Sequence, residues 1–226
     1  MPRWVLALIV GVAAASPAAA QQSISFHLGG FSPRSADARA PSDVLVNNLS
    51  FLAFNIQDFR SASVGGEYLV GLGDKFEGGL GIGFQSRTVP TVYLDFVNAN
   101  GREIEQDLKL RVVPFSATVR FLPLGHRDAV TPYFGAGAGV FAWRYSETGE
   151  FLATDSSIFP ATFVGSGSTT GPVILGGLRA PVASWDLGFE IRYQSAKGDL
   201  PADQGFAGRQ IDLGGFTYAF TANVKF

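Results

Sequence analysis

Apolar and polar positions alternate without a break through the end of the chain, 216–226. Phe216, Tyr218, Phe220, Ala222, Val224 and Phe226 fall on one side; Thr217, Ala219, Thr221, Asn223 and Lys225 fall on the other. A side-chain period of two is that of a β-strand. An edge strand this apolar would invite aggregation in a soluble sheet. It is explained if the apolar face meets lipid and the strand closes a barrel, since a bilayer tolerates strands only when every backbone group is paired.

The same pattern recurs upstream. The first predicted strand is 23–31, where Ile24, Phe26 and Leu28 alternate with Ser23, Ser25 and His27. The second is 61–72, with Val64, Tyr68, Val70 and Leu72 on one face and Glu67 on the other. The third, 76–87, sets Phe76, Leu80, Ile82 and Phe84 against Glu77, Gly79, Gly81, Gly83 and Gln85. In the fourth, Leu108, Leu110 and Val112 alternate with Lys109 and Arg111. The phase then changes, so that Phe115, Ala117, Val119 and Phe121 oppose Ser116, Thr118 and Arg120. Proline cannot donate to a ladder, so a bulge is expected at Val113-Pro114. The fifth strand runs from Thr131 to about Tyr145, the sixth over 172–180, the seventh over 185–193, and the eighth ends at Phe226.

The connections between these segments alternate long and short: 32–59, 88–105, 146–171 and about 194–210 are long, while 73–75, 123–130 and 181–184 are short. The expected fold class is therefore all-β, an eight-stranded antiparallel transmembrane β-barrel with short periplasmic turns and long extracellular loops. A soluble barrel of lipocalin type would carry the opposite polarity, apolar inside and polar outside. Periodicity alone does not separate the two.

The amino terminus favours the membrane. Arg3 precedes an apolar run, 4–15, and Ser16-Pro17-Ala18-Ala19-Ala20 ends in an Ala-x-Ala site. This pattern predicts a signal peptide over 1–20, cleaved before Gln21, and a barrel domain over 21–226. Export of Sec type would lead to the outer membrane of a Gram-negative-type bacterium. The chain has 226 residues, 28 Gly and no Cys, which excludes a disulfide framework and thiolate metal sites. Its formal charge is −2, or −3 without Arg3, and no basic cluster points to nucleic acid.

With lipid outside, Glu67, Glu77, Arg120, Arg179, Glu190 and Arg192 point into the barrel, with Lys109 and Arg111 nearer the loops. Eight strands enclose a volume that side chains just fill, so these charges are expected to pair as a structural core; a gated ion or proton path is the functional counterpart. Aromatic girdles are expected from Phe76, Phe121, Trp185 and Phe226 at the turn end and from Phe84, Trp143, Tyr145 and Tyr193 at the loop end. The two histidines, His27 and His126, form no metal-spaced cluster, and no cofactor motif is present. Asp155-Ser156-Ser157 could join His27 in acyl transfer only if two distant segments meet. Phe151, Leu152, Ile158, Phe159 and Phe163 are unusually apolar for an exposed loop, as is 49–54. They either pack on one another or receive a small apolar molecule.

The carboxy-terminal alternation, with Tyr218, Phe220, Val224 and Phe226, resembles the signal that outer-membrane proteins present to the barrel-assembly machinery. The stretch 113–123, followed by Pro132-Tyr133-Phe134-Gly135-Ala136-Gly137-Ala138-Gly139, resembles OmpW-like small barrels within the OmpW/OmpA-type superfamily. That resemblance implies a monomer-capable barrel, linked in some members to passage of small hydrophobic molecules through a lateral opening. It sets the leading expectation: a non-enzymatic outer-membrane barrel, structural or handling apolar ligands through its loops, with outer-membrane lipid as its surroundings. A lipid A-modifying hydrolase or acyltransferase and an adhesion barrel are the alternatives. The His-x-Ser pair of lipid A deacylases is absent, since His27 is followed by Leu28-Gly29 and His126 by Arg127-Asp128.

Overall fold

A computed structural model describes residues 22–125, 129–153 and 155–226. The expected signal peptide and His126 lie outside the described residues.

Eight strands form a closed antiparallel barrel: β1 (Gln22–Pro33), β2 (Ser61–Gly71), β3 (Phe76–Val97), β4 (Glu103–Phe121), β5 (Thr131–Leu152), β6 (Ile158–Val182), β7 (Trp185–Gln194) and β10 (Gly215–Lys225). Between β7 and β10 lies a small hairpin of β8 (Lys197–Asp199) and β9 (Gln210–Asp212); between β1 and β2 lie one short α-helix, α1 (Val44–Asn48), and two 3-10 turns, Ala36–Ala38 and Ile56–Phe59. The closing strand pairs with the first, from Ser23↔Lys225 to Pro33↔Gly215, so both ends of the barrel lie at its short-turn rim.

The outer face carries an apolar band. Phe76, Leu80, Ile82 and Phe84 on β3, Phe115, Val119 and Phe121 on β4, and Phe216, Tyr218 and Phe220 on β10 are all exposed. The band covers about nine residues on these strands, the length a tilted strand needs to cross a bilayer. Among the described residues no helix is long and apolar enough to cross a membrane, so the crossing is made by strands.

Strand length divides the wall. β1, β2, β7 and β10 have 12, 11, 10 and 11 residues and stop at the upper edge of the apolar band. β3, β4, β5 and β6 have 22, 19, 22 and 25 and continue as a tall curved sheet. Segments 88–97 and most of 146–171, expected as loops, are therefore strand. As far as Thr91 on β3, and over 146–152 on β5, they keep the two-residue alternation but reverse its polarity, which hides them from a search for lipid-facing strands; beyond Val92 the β3 register shifts, and Leu94, Phe96 and Val97 are exposed.

That reversal also removes the expected bulge. The β4–β5 register runs unshifted from Gln106↔Gly149 to Phe121↔Phe134, through Val113 and Pro114. The strand keeps its faces while its surroundings change. Below Pro114, lipid lies outside and charge inside; above it, water lies outside and an apolar core inside. Lys109 and Arg111 accordingly point outward and are exposed, contrary to expectation, while Leu108, Leu110 and Val112 are buried. Trp143 and Tyr145 are likewise buried in the interior and are not part of an aromatic girdle, whereas Phe84 remains on the outer surface.

Candidate functional site

The interior has two storeys. Within the lipid band, the six predicted luminal charges come together. Arg120 donates to Glu67 and to Glu190, the latter at 2.9 Å. Arg192 donates to Glu67 at 2.9 Å, to Glu190 at 3.1 Å and to the Ser116 hydroxyl at 3.2 Å. Arg179 grips Glu77 through both terminal nitrogens. Three carboxylates thus meet three guanidinium groups, and the charges balance. Charge balance with multiple hydrogen bonds is what allows ions to stand in a dry interior.

Three residues not identified from the sequence complete this network. The Thr118 hydroxyl donates to Glu67 at 2.9 Å, the Tyr133 hydroxyl donates to Glu190 at 3.1 Å, and the Tyr133 ring lies 4.9 Å from the Arg120 guanidinium and 5.7 Å from that of Arg179. Ser116 and Thr118 share the inward phase of Arg120, which is the signal that could have found them. Tyr133 follows Thr131 in that phase on β5, but its place in a Pro-Tyr-Phe run conceals it. The glycines opposite make room: a Cβ on Gly79 would lie 2.3 Å from a Glu67 carboxylate oxygen.

Above the lipid band, the concave side of the tall wall is apolar. Val89, Leu108, Leu110, Val112, Phe141, Trp143, Tyr145 and Val173 line it. Two straps fill it. The first, 34–60, inserts Val44, Leu45, Leu52, Ile56 and Phe59; the second, 195–214, inserts Ala196, Leu200, Ile211 and Leu213. The first strap adds a short edge to β3 through Ala53 N–H to the Val92 carbonyl and Leu94 N–H to the Phe51 carbonyl. The straps join each other where the Arg209 and Gln210 N–H groups donate to the Ser42 carbonyl.

Polar side chains pin this plug. Asp43 caps α1, accepting from Leu45 N–H at 2.9 Å, and also accepts from Arg39 at 3.1 Å and from Asp212 N–H at 2.6 Å. Asn48 donates to Glu147 at 2.7 Å, and the Tyr145 hydroxyl donates to the same oxygen at 2.8 Å. Burial raises the Asp43 carboxyl above the usual carboxylate range, against the opposing pull of Arg39. Burial likewise raises Glu147, against the hydrogen bonds from Asn48 and Tyr145.

The apolar loop residues meet at the top of the bowl. Phe151 packs edge-on to Phe163 at 4.6 Å and lies 6.1 Å from Phe159; Phe163 lies 6.3 Å from Phe206 of the second strap. Leu152 pairs with Ile158 at the hairpin end. Phe159 keeps part of its ring exposed at the rim.

Between the storeys is a cavity of about 30 Å³, bordered by His27, Gln85, Pro114, Phe141 and Arg192. Beside it the β3–β4 ladder passes from Ile82↔Phe115 to Gln85↔Val112 without pairing the residues between them, where Pro114 has no N–H to give. His27 thus lies within the barrel, while Asp155 and Ser157 hydrogen-bond each other at the exposed hairpin tip. The structure does not bring these groups together. Among the described residues no cluster of metal-binding side chains forms. Tyr218, Phe220, Val224 and Phe226 share the outward face of the closing strand, with Phe220 and Phe226 strongly exposed.

No protein-family model matches the sequence, and no curated protein is significantly similar to it. Solved structures are similar in fold. The outer membrane protein OprG of Pseudomonas aeruginosa shares 14% identity over 92% of this chain and 96% of its own, with a TM-score of 0.54. Ail, the attachment invasion locus protein of Yersinia pestis, solved with the heparin analogue sucrose octasulfate, shares 11% over 92% and 99%, with a TM-score of 0.48. Neisserial surface protein A shares 12% over 91% and 97%, with a TM-score of 0.47. The closed ring of eight strands, the lipid-facing band and the likeness to OprG together give this chain the fold of the small eight-stranded outer-membrane β-barrels.

Proposed function

We propose that this protein is a non-enzymatic outer-membrane barrel that holds small apolar molecules in its extracellular bowl. The observation that carries the proposal is the reversed polarity of the upper storey. An apolar interior above the bilayer is closed by two straps, and a strap can leave without breaking the β3–β6 ladder. The backbone of the first strap meets β3 at an isolated bridge, Leu52↔Tyr93, and its other ties to the wall are largely side-chain contacts such as Asn48 to Glu147. The aromatic rim of Phe151, Phe159, Phe163 and Phe206 stands at the mouth and offers apolar surface to an entering molecule. The ion network blocks the axis below, so a molecule that moves on into the bilayer would leave sideways, at the β3–β4 seam beside Pro114. Pairing of the luminal charges as a structural core is part of the same proposal. Assembly of the barrel through the Phe216–Phe226 face and delivery by Sec-type export complete it.

The test uses the whole mature chain in nanodiscs and an apolar fluorescent probe, N-phenylnaphthylamine. The protein is expected to raise probe fluorescence above that of empty nanodiscs. The variant Leu52→Cys/Tyr93→Cys locks the first strap when oxidised, and a chain without cysteine forms no competing disulfide. Oxidation should abolish the added fluorescence and reduction should restore it. Fluorescence no higher than in empty nanodiscs, or uptake indifferent to the lock, would overturn the proposal.

A further inference from the structure

The outer face of the tall wall is layered. On β4 the outward residues run from apolar, Phe121 to Val113, through basic, Arg111 and Lys109, to acidic, Asp107, Glu105 and Glu103. The basic layer therefore begins one outward position above the hydrocarbon band. Register places its members together. Ser86 of β3 pairs with Arg111 of β4, Arg111 with Arg144 of β5, and Arg144 with Ser166 of β6. All four share the outward face, since each lies two residues along its strand from an outward neighbour: Phe84 on β3, Val113 on β4, Ala142 on β5 and Ser168 on β6, of which Val113, Ala142 and Ser168 are paired in one row. The row above adds Thr88, Lys109 and Ser146.

Two arginines directly opposite on one sheet face repel each other. Arg111 and Arg144 are both exposed, and no carboxylate among the described residues answers them or Lys109. The arrangement is a compact row of hydroxyl, guanidinium, guanidinium, hydroxyl with an ammonium above. Directly opposed residues stand about 5 Å apart at Cβ, so one tetrahedral dianion can accept from both guanidinium groups. Arginine forks match phosphate oxygens in this way. A ligand with its phosphate on this row has apolar wall immediately below for its chains.

We propose that Arg111 and Arg144, aided by Lys109 and the flanking Ser86 and Ser166, bind the phosphate of a phosphorylated glycolipid in the outer leaflet. The inference rests on the barrel's place in the outer membrane and is independent of what the bowl holds. A bound lipid phosphate offsets the repulsion that the bare row carries and fixes the height of the barrel in the leaflet.

Native mass spectrometry of the whole mature barrel in detergent tests it, with diphosphoryl lipid A, the same lipid with its phosphates removed, and inorganic phosphate as competitor. Diphosphoryl lipid A is expected to bind, and the Arg111→Gln/Arg144→Gln variant to bind it at least about tenfold more weakly. Arg102→Gln, at an exposed ion pair with Glu150 on the loop side, should bind normally. Equal binding by the double variant, equal binding of the phosphate-free lipid, or displacement by equimolar inorganic phosphate would each overturn the proposal. A stability readout covers a double variant that folds poorly. Arg144→Gln alone should leave unchanged or raise the urea midpoint in zwitterionic bilayers, where it removes a repulsion. It should lower that midpoint in bilayers containing lipid A. Shifts in the same direction in both would count against a phosphate site.

Discussion

Arg120 shows how tightly the lower storey is specified. It is almost wholly buried, and its guanidinium serves two carboxylates from two different strands. Replacing it by Met would leave Glu67 and Glu190 sharing only Arg192, and removal of one partner from a buried ion set costs about 3–5 kcal/mol. Urea unfolding in lipid vesicles should show a loss of that size for Arg120→Met. The upper storey contains a group of the opposite kind. Glu147 has its carboxyl raised by burial, so between pH 4.5 and its higher folded value the native state holds more protons than the unfolded chain. Stability from this group is therefore present at low pH and lost as pH rises through that window. Asp43, which burial also raises, adds to the same slope. Glu147→Gln keeps an acceptor for Asn48 and Tyr145, and should flatten Glu147's share of the pH dependence, read as hydrogen exchange at the α1 amides. The luminal Glu and Arg residues could be read from the chain because a strand's period assigns each a face. Glu147 could not, since its face depends on knowing that β5 continues beyond the bilayer.

The straps and the closing strand place opposite demands on their elements. The short helix α1 has only five residues, far below the length at which a helix stands alone in water. Its order comes from the Asp43 cap and from Val44 and Leu45, which are fully buried against the wall. Leu45→Ala should cost the strap about 2–5 kcal/mol of docking energy, seen as faster exchange over 44–53 while the β1–β10 ladder stays protected. The closing strand depends on its outer face. Phe220 is 73% exposed, and Phe220→Arg there should cost about 2–4 kcal/mol at mid-bilayer depth, with reduced yield of heat-modifiable barrel as the measure. The eight crossing segments were legible because lipid outside and charge inside make a strong alternation. The strand extensions 88–91 and 146–152 alternate as well, as Leu108, Leu110 and Val112 do on β4. Their polarity is that of a soluble barrel, so a single rule for the whole chain misreads them as loops or as a bulge.

Taken whole, the molecule is a membrane barrel below and, above it, a four-stranded sheet of soluble-type polarity covered by two straps, joined on the continuous strands β3–β6. The two halves close the axis by unlike means. The lower closure is electrostatic: the Glu67–Arg120–Glu190–Arg192 set and the Glu77–Arg179 pair span the lumen from β2, β3, β4, β6 and β7. The upper closure is apolar and lies in the straps. Closures in series act independently, so removing one leaves the other. In planar bilayers the wild-type chain should show no steady conductance. Replacing 41–59 by a Gly/Ser linker should open the bowl to water but leave the pathway closed at the ion network. Arg120→Ala/Arg192→Ala should disturb the network but leave the plug in place. Only the combination should conduct, with a greater-than-additive effect that marks two barriers on one path. Steady current through either single change would mean that its partner closure is not a seal, and would assign the whole axial barrier to the storey that was altered.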